Sequence, residues 1–248
     1  MIESQAMSAR PILAVLVFLL TGPASAEAES FASERLAMVQ VIILSTILSS
    51  PETGIEALDS EVLEVMAKVP RHEFVPEILR GMAYLNRPLP IGHGQTISQP
   101  YIVALMTGLL GMTPGAKVLE VGTGSGYQAA VLAELAARVF TIEIVEPLGR
   151  LARKRLRRLG YGNVEVRIGD GYYGWEEHAP FDAIIITAAI SHVPPSLVHQ
   201  LKPGGRIVIP VGQRFLVQFL TVVEKHLDGG VTMREILPVR FVPLTGGH

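Results

Sequence analysis

The feature that most constrains this fold is a glycine-rich turn between a predicted strand and a predicted helix. The turn reads Glu120-Val121-Gly122-Thr123-Gly124-Ser125-Gly126. The apolar run 117–121 before it predicts a buried strand, and the Ala- and Leu-rich run 127–137 after it predicts a helix. Glycine permits positive φ angles and close approach of a ligand to the backbone, and a helix N-terminus offers free N–H groups. The turn therefore predicts a small-molecule site in an α/β fold.

Strands and helices continue to alternate after this turn. The apolar runs predict strands at 139–144, 164–168, 181–187 and 206–210, with helices at 148–159 and 194–201. Alternation at this spacing implies right-handed βαβ crossovers and a mostly parallel sheet. Two final apolar runs, 216–224 and 231–239, predict an antiparallel hairpin. We therefore expect an α/β, Rossmann-like, doubly wound and mostly parallel sheet, with a C-terminal antiparallel hairpin and N-terminal helices.

The turn can be compared with the known glycine-rich fingerprints. A phosphate-binding P-loop needs a lysine after its last glycine, and none follows here. The dinucleotide fingerprint needs Gly or Ala at the position of Tyr127. The remaining pattern, E-x-G-x-G-x-G, resembles the first motif of the S-adenosylmethionine (SAM)-dependent methyltransferases of Rossmann-like fold. The resemblance implies that SAM is bound by these residues of the turn: Glu120, Gly122, Thr123, Gly124 and Gly126.

Two acidic residues follow the next predicted strands. Glu143 ends the second strand, where a carboxylate can accept hydrogen bonds from both ribose hydroxyls of a nucleoside. The alternative for Glu143 is a solvated surface acid. Asp170 and Gly171 end the third strand, and Asp170 can accept a hydrogen bond from an adenine amino group. Together with the turn, these strand ends predict a nucleoside site at one edge of the sheet.

Several segments outside the turn narrow the resemblance from SAM-dependent methyltransferases in general to one family. They are residues 69–76 (VPRHEFVP), 90–101 (PIGHGQTISQPY), 181–189 (FDAIIITAA), 203–205 (PGG) and 239–244 (VRFVPL). With the turn and the Gly-Asp-Gly at 169–171, they resemble the protein-L-isoaspartate O-methyltransferase family over residues 55–245. The segment Gly-Gln-Thr-Ile-Ser at 94–98 is far more specific than the turn, which many types of methyltransferase share.

The resemblance implies a reaction and a set of site residues. The reaction is methyl transfer from SAM, the co-substrate, to the free α-carboxylate of L-isoaspartyl residues in damaged proteins and peptides, which initiates repair. Ser98 is implied to be catalytic, Gln95, Thr96 and Ser98 to bind the substrate, and residues 239–244 to border the peptide cleft. We expect one methyltransferase domain at 27–248. It divides into a helical part with the substrate loop (27–112), a SAM-binding core (113–213) and the C-terminal hairpin (214–248).

The chemistry of this reaction suits the residues that the chain has. A carboxylate acceptor is already ionised at neutral pH, so no general base is required. Ser98 is therefore expected to orient the substrate, and its alternative role is to cap a helix at 101–110. The absence of cysteine excludes disulfides, thiolate nucleophiles and cysteine-ligated zinc. The seven histidines form no H-x-x-x-H pair, so no metal is expected.

The charge balance gives little reason to expect a nucleic-acid partner. The chain has 21 Lys and Arg against 23 Asp and Glu, a formal net charge of −2. A basic cluster at 150–158 is interleaved with leucines at helical spacing, which is typical of the solvated face of a helix. The expected partners are isoaspartyl proteins and peptides, and we expect a monomer.

Residues 1–26 have the pattern of an export signal. Arg10 precedes the apolar run 12–20, and Ala24-Ser25-Ala26 is a small-x-small cleavage site. As a helix this run would span about 13 Å, less than half of a bilayer core of roughly 30 Å. We predict a cleaved signal peptide and a periplasmic or secreted protein, or a cytoplasmic one if the signal does not function. A second run, 36–48, is too short and polar for a stable membrane span and predicts a buried amphipathic helix.

Two other functions remain open on the sequence. One is a SAM-dependent methyltransferase acting on another carboxylate or on a small molecule, for which the turn motif would suffice. The other is a non-catalytic SAM- or protein-binding module. This second alternative arises because SAM is made in the cytosol, whereas the N-terminus predicts export.

Overall fold

The N-terminal part of the chain is mainly helical. The computed structural model describes residues 23–213 and 216–247. The predicted signal peptide lies largely outside the described residues, and only 23–26 are described, as the first turn of α1 (Pro23–Thr53). After α1 come α2 (Ser60–Lys68) and two 3₁₀ helices, Arg71–Phe74 and Glu77–Met82. A two-stranded hairpin of β1 (Leu89–Gly92) and β2 (Gln95–Ile97) then leads into α3 (Pro100–Leu109).

A seven-stranded sheet forms the centre of the molecule. Its strands are β3 (Lys117–Val121), β4 (Arg138–Glu143), β5 (Val164–Ile168), β6 (Phe181–Ile186), β7 (Leu201–Val211), β8 (Gln218–Lys225) and β9 (Val231–Val239). Their order across the sheet is β5-β4-β3-β6-β7-β8-β9, parallel from β5 to β7 and antiparallel from β7 to β9. From β3 the strand order runs outward through β4 to β5 on one side and through β6 to β9 on the other, so it reverses between β3 and β6. Doubly wound sheets bind ligands at such a switch point.

Helical segments cover both faces of this sheet. They are α4 (Tyr127–Ala133), α5 (Glu146–Arg158), two 3₁₀ helices, Gly171–Tyr173 and Glu176–His178, and α6 (Pro195–Gln200). Alternate residues of β3 face opposite cores. Val118 belongs to the core shared with α2, α3 and α4, whereas Leu119 belongs to the core that contains Trp175 and Leu197. Burial on both faces explains why the central strands are continuous apolar runs.

The predicted fold class is confirmed, with three local differences. Within 27–112, predicted as a helical part with the substrate loop, the structure also contains β1 and β2, which are too short and too irregular in register to show a period of two. The helix predicted at 127–137 ends at Ala133, and the Ala137 N–H instead donates to the Ala116 carbonyl at 2.9 Å. The strand predicted at 206–210 begins at Leu201, which pairs with Phe181.

The apolar run 36–48 lies inside α1, but the prediction that it is amphipathic is wrong. Met38, Ile42 and Thr46 are buried against the domain. The opposite side of the helix is also apolar, and its exposed residues are Leu36, Val41, Leu44, Ile47 and Leu48. Among the described residues, Phe31–Thr53 is the helical segment long and apolar enough to cross a membrane by length and composition. A helix that is apolar all round has no 3.6-residue pattern that could reveal which face is buried.

Candidate active site

The glycine-rich turn brings the carboxyl ends of β3 and β6 together. Gly122 has a φ of 102°, and a Cβ atom there would collide with the hydroxyl oxygen of Thr187, which follows β6. Instead, Thr187 Oγ1 donates a hydrogen bond to the Gly122 carbonyl at 2.7 Å. Gly126 has a φ of 90° and precedes α4, where a Cβ would lie 3.2 Å from Leu156 of α5. The two glycines therefore let the turn pack tightly against its neighbours.

Glu143 holds the turn from the neighbouring strand. It is the last residue of β4 and is buried. One carboxylate oxygen accepts a hydrogen bond from the Gly124 N–H at 2.7 Å, and the other accepts from the Val145 N–H at 2.9 Å. Each oxygen has a second lone pair, and Glu143 lines the pocket beside the turn. The carboxylate can therefore accept further hydrogen bonds from hydroxyl groups of a ligand.

Glu120 is a fully buried acid in the wall of the same pocket. Its Oε2 accepts a hydrogen bond from Thr141 Oγ1 at 2.5 Å, and Thr141 in turn contacts Thr123 Oγ1 at 2.6 Å. Its Oε1 has no hydrogen-bond partner among the described residues. Burial raises the pKa of Glu120 to about 8. The hydrogen bond from Thr141 has the opposite effect and lowers this pKa. An unpartnered buried acceptor in a ligand pocket suits a cationic donor such as an ammonium group.

Asp170 and Gly171 follow β5 at the same edge of the sheet. Gly171 is buried and lines the pocket, and a Cβ there would collide with Val121. Asp170 is not among the lining residues; it caps the 3₁₀ helix Gly171–Tyr173. Its two oxygens accept hydrogen bonds from the Tyr172 N–H at 3.0 Å and the Gly247 N–H at 3.2 Å. Its role toward adenine therefore stays a prediction.

The β1–β2 hairpin places the remaining predicted residues on the opposite wall. Gln95 and Thr96 lie on β2, Ser98 follows it, and all three line the pocket. Of the predicted cofactor residues, Gly122, Thr123 and Gly124 line it as well. Gly126 does not line it, because it packs beneath the turn against α5.

A second cleft, of about 500 Å³, adjoins this pocket. The residues that line both spaces are Thr96, Ser98, Thr187 and Val242. The rest of the cleft is lined largely by apolar residues of α3 and of the chain from Leu237 to Val242. The molecule thus has two adjoining compartments, with two hydroxyl-bearing loops at their junction. We call the pocket beside the glycine-rich turn the donor pocket and the adjoining space of about 500 Å³ the acceptor cleft.

The alternative role of Ser98 as a helix cap is wrong. α3 begins at Pro100, and its N-cap residue is Gln99, which makes no capping hydrogen bond through its side chain. Ser98 lies one residue beyond the last paired residue of β2, Ile97. Ser98 lines both compartments, and its carbonyl accepts a hydrogen bond from Arg71 Nη2 at 2.7 Å.

Thr187 and Tyr127 also line the donor pocket, although the sequence pattern predicted no role for either residue. Thr187 lies in the 181–189 segment that carries part of the family resemblance, and its position at the end of a predicted strand was the signal from which a role in the site could have been predicted.

Val242 reaches the junction because the C-terminal segment returns to the chain just after β6. The Ala189 N–H donates to the Val242 carbonyl at 2.8 Å, and the Leu244 N–H donates to the Ala189 carbonyl at 2.7 Å.

Metal ligands are not grouped in the part of the chain that the structure describes. In residues 23–213 and 216–247, no three or more His, Cys, Asp or Glu side chains come together in a way that could hold a metal ion. The polar side chains that line the donor pocket carry hydroxyl, carboxylate and amide groups.

Comparison with known proteins gives a consistent result. The sequence profile of the protein-L-isoaspartate(D-aspartate) O-methyltransferase family matches residues 49–248. The chain is 60% identical to protein-L-isoaspartate O-methyltransferase 1 of Cupriavidus necator, over 96% of this chain and 94% of that protein. It is 57% identical to protein-L-isoaspartate O-methyltransferase 2 of Syntrophobacter fumaroxidans, over 98% of this chain and 100% of that protein.

Solved structures agree with the sequence comparisons. A protein-L-isoaspartate O-methyltransferase superposes with a TM-score of 0.73 at 28% identity, covering 86% of this chain and 66% of that longer chain. A Plasmodium falciparum beta-aspartate methyltransferase in complex with S-adenosyl-L-homocysteine superposes with a TM-score of 0.70 at 25% identity. The superposition covers 85% of this chain and 98% of that chain. The chain belongs to the protein-L-isoaspartate(D-aspartate) O-methyltransferase family, whose profile covers all of it except residues 1–48, which include most of α1.

Proposed function

We propose that this chain transfers the methyl group of SAM to the free α-carboxylate of L-isoaspartyl residues in damaged proteins and peptides, which initiates their repair. The observation that carries the proposal is the junction of the donor pocket and the acceptor cleft at Thr96, Ser98 and Thr187. A direct transfer needs donor and acceptor to meet at one point with water excluded around it. The names of the relatives support the choice of acceptor.

The donor pocket fits SAM, which supplies a methyl group on a positively charged sulfur. The unpartnered Glu120 Oε1 is suited to the amino group of the methionine part. Glu143 is suited to the ribose hydroxyls, because its oxygens line the pocket and retain lone pairs. Asp170 is assigned to the adenine amino group, at the rim of the pocket.

In the acceptor cleft, Ser98 is assigned to the substrate carboxylate. A hydroxyl donor can hold one carboxylate oxygen in a fixed direction while the other oxygen attacks the methyl group. Thr96 contributes a second hydroxyl at the junction, and Gln95 contributes an amide to the donor-pocket wall. The carboxylate is ionised at neutral pH, so none of these residues has to remove a proton.

The rate depends on alignment and on the exclusion of water. Holding two reactants in a reactive geometry is worth roughly 7–11 kcal/mol in intramolecular analogues. The reaction also combines a cation and an anion into neutral products, so a dry site favours it. Val239 and Val242 give the cleft apolar walls beside the polar junction. Both effects require the hairpin, the turn and the C-terminal segment to be held rigidly together.

The proposal is tested with purified protein, labelled SAM and a pair of peptides that differ only in one isoaspartyl or aspartyl residue. We expect label on the isoaspartyl peptide alone. Label on neither peptide would favour a non-catalytic binding module or another acceptor. Equal label on both peptides would contradict recognition of the isoaspartyl linkage.

Ser98→Ala is expected to lower the methylation rate by at least about tenfold, because the carboxylate loses an orienting hydrogen bond. SAM affinity should stay within a few-fold of wild type, because Ser98 serves the acceptor. The measurements are steady-state kinetics with the isoaspartyl peptide and calorimetric titration with SAM. Ser50→Ala, near the C-terminal end of α1 and outside both compartments, is the control. An unchanged rate in Ser98→Ala would remove Ser98 from the catalytic assignment.

Glu120→Gln should change how stability depends on pH. The pKa of Glu120 rises from 4.5 to about 8 in the folded chain, so folding takes up a proton between these pH values. Wild-type stability should therefore fall, relative to the variant, as the pH rises through this window, and the difference should level off above it. Urea unfolding without SAM measures this difference. The same variant should bind SAM more weakly, and parallel pH profiles would contradict the assignment.

We further propose that the protein acts as a monomer on protein substrates and does not bind nucleic acid. Both compartments are built by one chain. On the basic helix α5, Arg153 donates to the Val166 carbonyl and Arg155 to the Ser125 carbonyl, while Arg158 pairs with Glu73. These guanidinium groups are engaged within the molecule. One face of α1 is packed on the domain, which supports a helix that does not span a membrane.

Export remains a proposal that rests on residues 1–26. The pattern of Arg10, the apolar run 12–20 and Ala24-Ser25-Ala26 supports a cleaved signal and a periplasmic or secreted protein. N-terminal sequencing of the native protein after cell fractionation should find a chain that begins after Ala26, outside the cytosol. A cytosolic protein with an intact N-terminus would overturn the proposal.

A further inference from the structure

Arg71 is a fully buried cation directly behind the candidate active site. It begins the 3₁₀ helix Arg71–Phe74, in the VPRHEFVP segment. Its Nε donates to the Ala83 carbonyl and its Nη2 donates to the Ser98 carbonyl, each at 2.7 Å. Both partners are neutral, and Arg71 forms no ion pair among the described residues. Burial lowers its pKa to about 10, so the guanidinium is still charged at neutral pH.

A buried charge without a counter-charge is costly to the folded state. Arg71 Nη1 adds to this cost, because it has no hydrogen-bond partner among the described residues. An apolar side chain of similar volume would avoid the cost if filling space were the only requirement. The contacts of the guanidinium must therefore explain why a charged side chain occupies this buried position.

The guanidinium contacts one residue from the wall of each compartment, Ser98 and Tyr127. On the acceptor side it holds the backbone carbonyl of Ser98, which lies between the end of β2 and the start of α3. On the donor side its central carbon lies 4.8 Å from the ring centre of Tyr127. Tyr127 is buried, follows Gly126 directly and lines the donor pocket. A guanidinium presents several donors in a rigid planar fork, so it can hold two carbonyls and lie over a ring in one fixed geometry, whereas an ammonium group is a compact charge on a flexible stem.

We propose that Arg71 is a positioning residue that sets the distance and direction of Ser98 relative to the donor pocket. It does so by holding the Ser98 carbonyl while its guanidinium lies over the Tyr127 ring. The proposal rests on the proposed function, with Ser98 at the substrate carboxylate. Arg71 lines neither compartment and touches neither substrate. Its effect on the reaction passes through Ser98.

The variants are Arg71→Lys, which keeps the charge but loses the planar fork, and Arg71→Gln, which keeps donors but loses the charge. The control is Asn163→Ala. Asn163 also uses its side chain to hold two backbone carbonyls, those of Ala133 and Ala136, and it lies outside both compartments. All proteins are assayed well below their measured Tm, after circular dichroism has established that they are folded.

With the isoaspartyl peptide, we expect Arg71→Lys to lower kcat by about ten- to a hundredfold, because a small displacement at a reacting centre has effects of this size. Its SAM Kd and peptide KM should stay within a few-fold of wild type. Asn163→Ala should lose stability and keep its kcat. Arg71→Gln should behave like Arg71→Lys.

The decisive measurement is a double-mutant cycle with Ser98→Ala. If Arg71 acts through Ser98, adding Arg71→Lys to Ser98→Ala lowers kcat little further. If Arg71 is merely structural, the two losses multiply. Multiplied losses, an unchanged kcat in Arg71→Lys, or failure of both Arg71 variants to fold would each overturn the proposal. A wild-type protein that does not methylate the isoaspartyl peptide would instead overturn the proposed function.

Discussion

The site depends on the contact between the ends of β3 and β6. Gly122 has no side chain, and the Thr187 hydroxyl occupies the space that a Cβ atom would take and donates to the Gly122 carbonyl. This contact closes the sheet at its switch point and places Thr187 in the walls of both compartments. A larger residue at Gly122 would separate the strands and widen the junction at which the donor and the acceptor have to meet. The geometry of methyl transfer is therefore set by a contact between two strand ends.

Three segments from distant parts of the sequence close around this contact. The β1–β2 hairpin brings Thr96 and Ser98, β4 brings Glu143 to the turn, and the C-terminal segment brings Val242. Each is held by backbone hydrogen bonds or by a side chain bonded to the backbone. Such bonds give more precise positions than contacts between flexible side chains, which suits a reaction that depends on alignment more than on acid–base chemistry.

Two of the buried ionisable groups at the site are incompletely paired. Glu120 leaves one carboxylate oxygen unpartnered in the donor pocket, and Arg71 leaves one nitrogen unpartnered behind Ser98. Groups of this kind destabilise a fold, and their concentration around one place is typical of functional sites. The carboxylate is part of the wall of the donor pocket, whereas the guanidinium lines neither compartment and is proposed to act through Ser98.

The sequence by itself determined the parts that depend on local pattern. Continuous apolar runs predicted the central strands, the glycine-rich turn predicted a ligand site, and Glu143 was recognised because it ends the next strand. The tertiary structure alone decided the contacts between residues far apart in the chain. These include the approach of Thr187 to Gly122, the return of Val242 to β6 and the bond from Arg71 to Ser98. It also decided that α1 buries one apolar face and exposes another, because a helix that is apolar all round has no periodic pattern that distinguishes its faces.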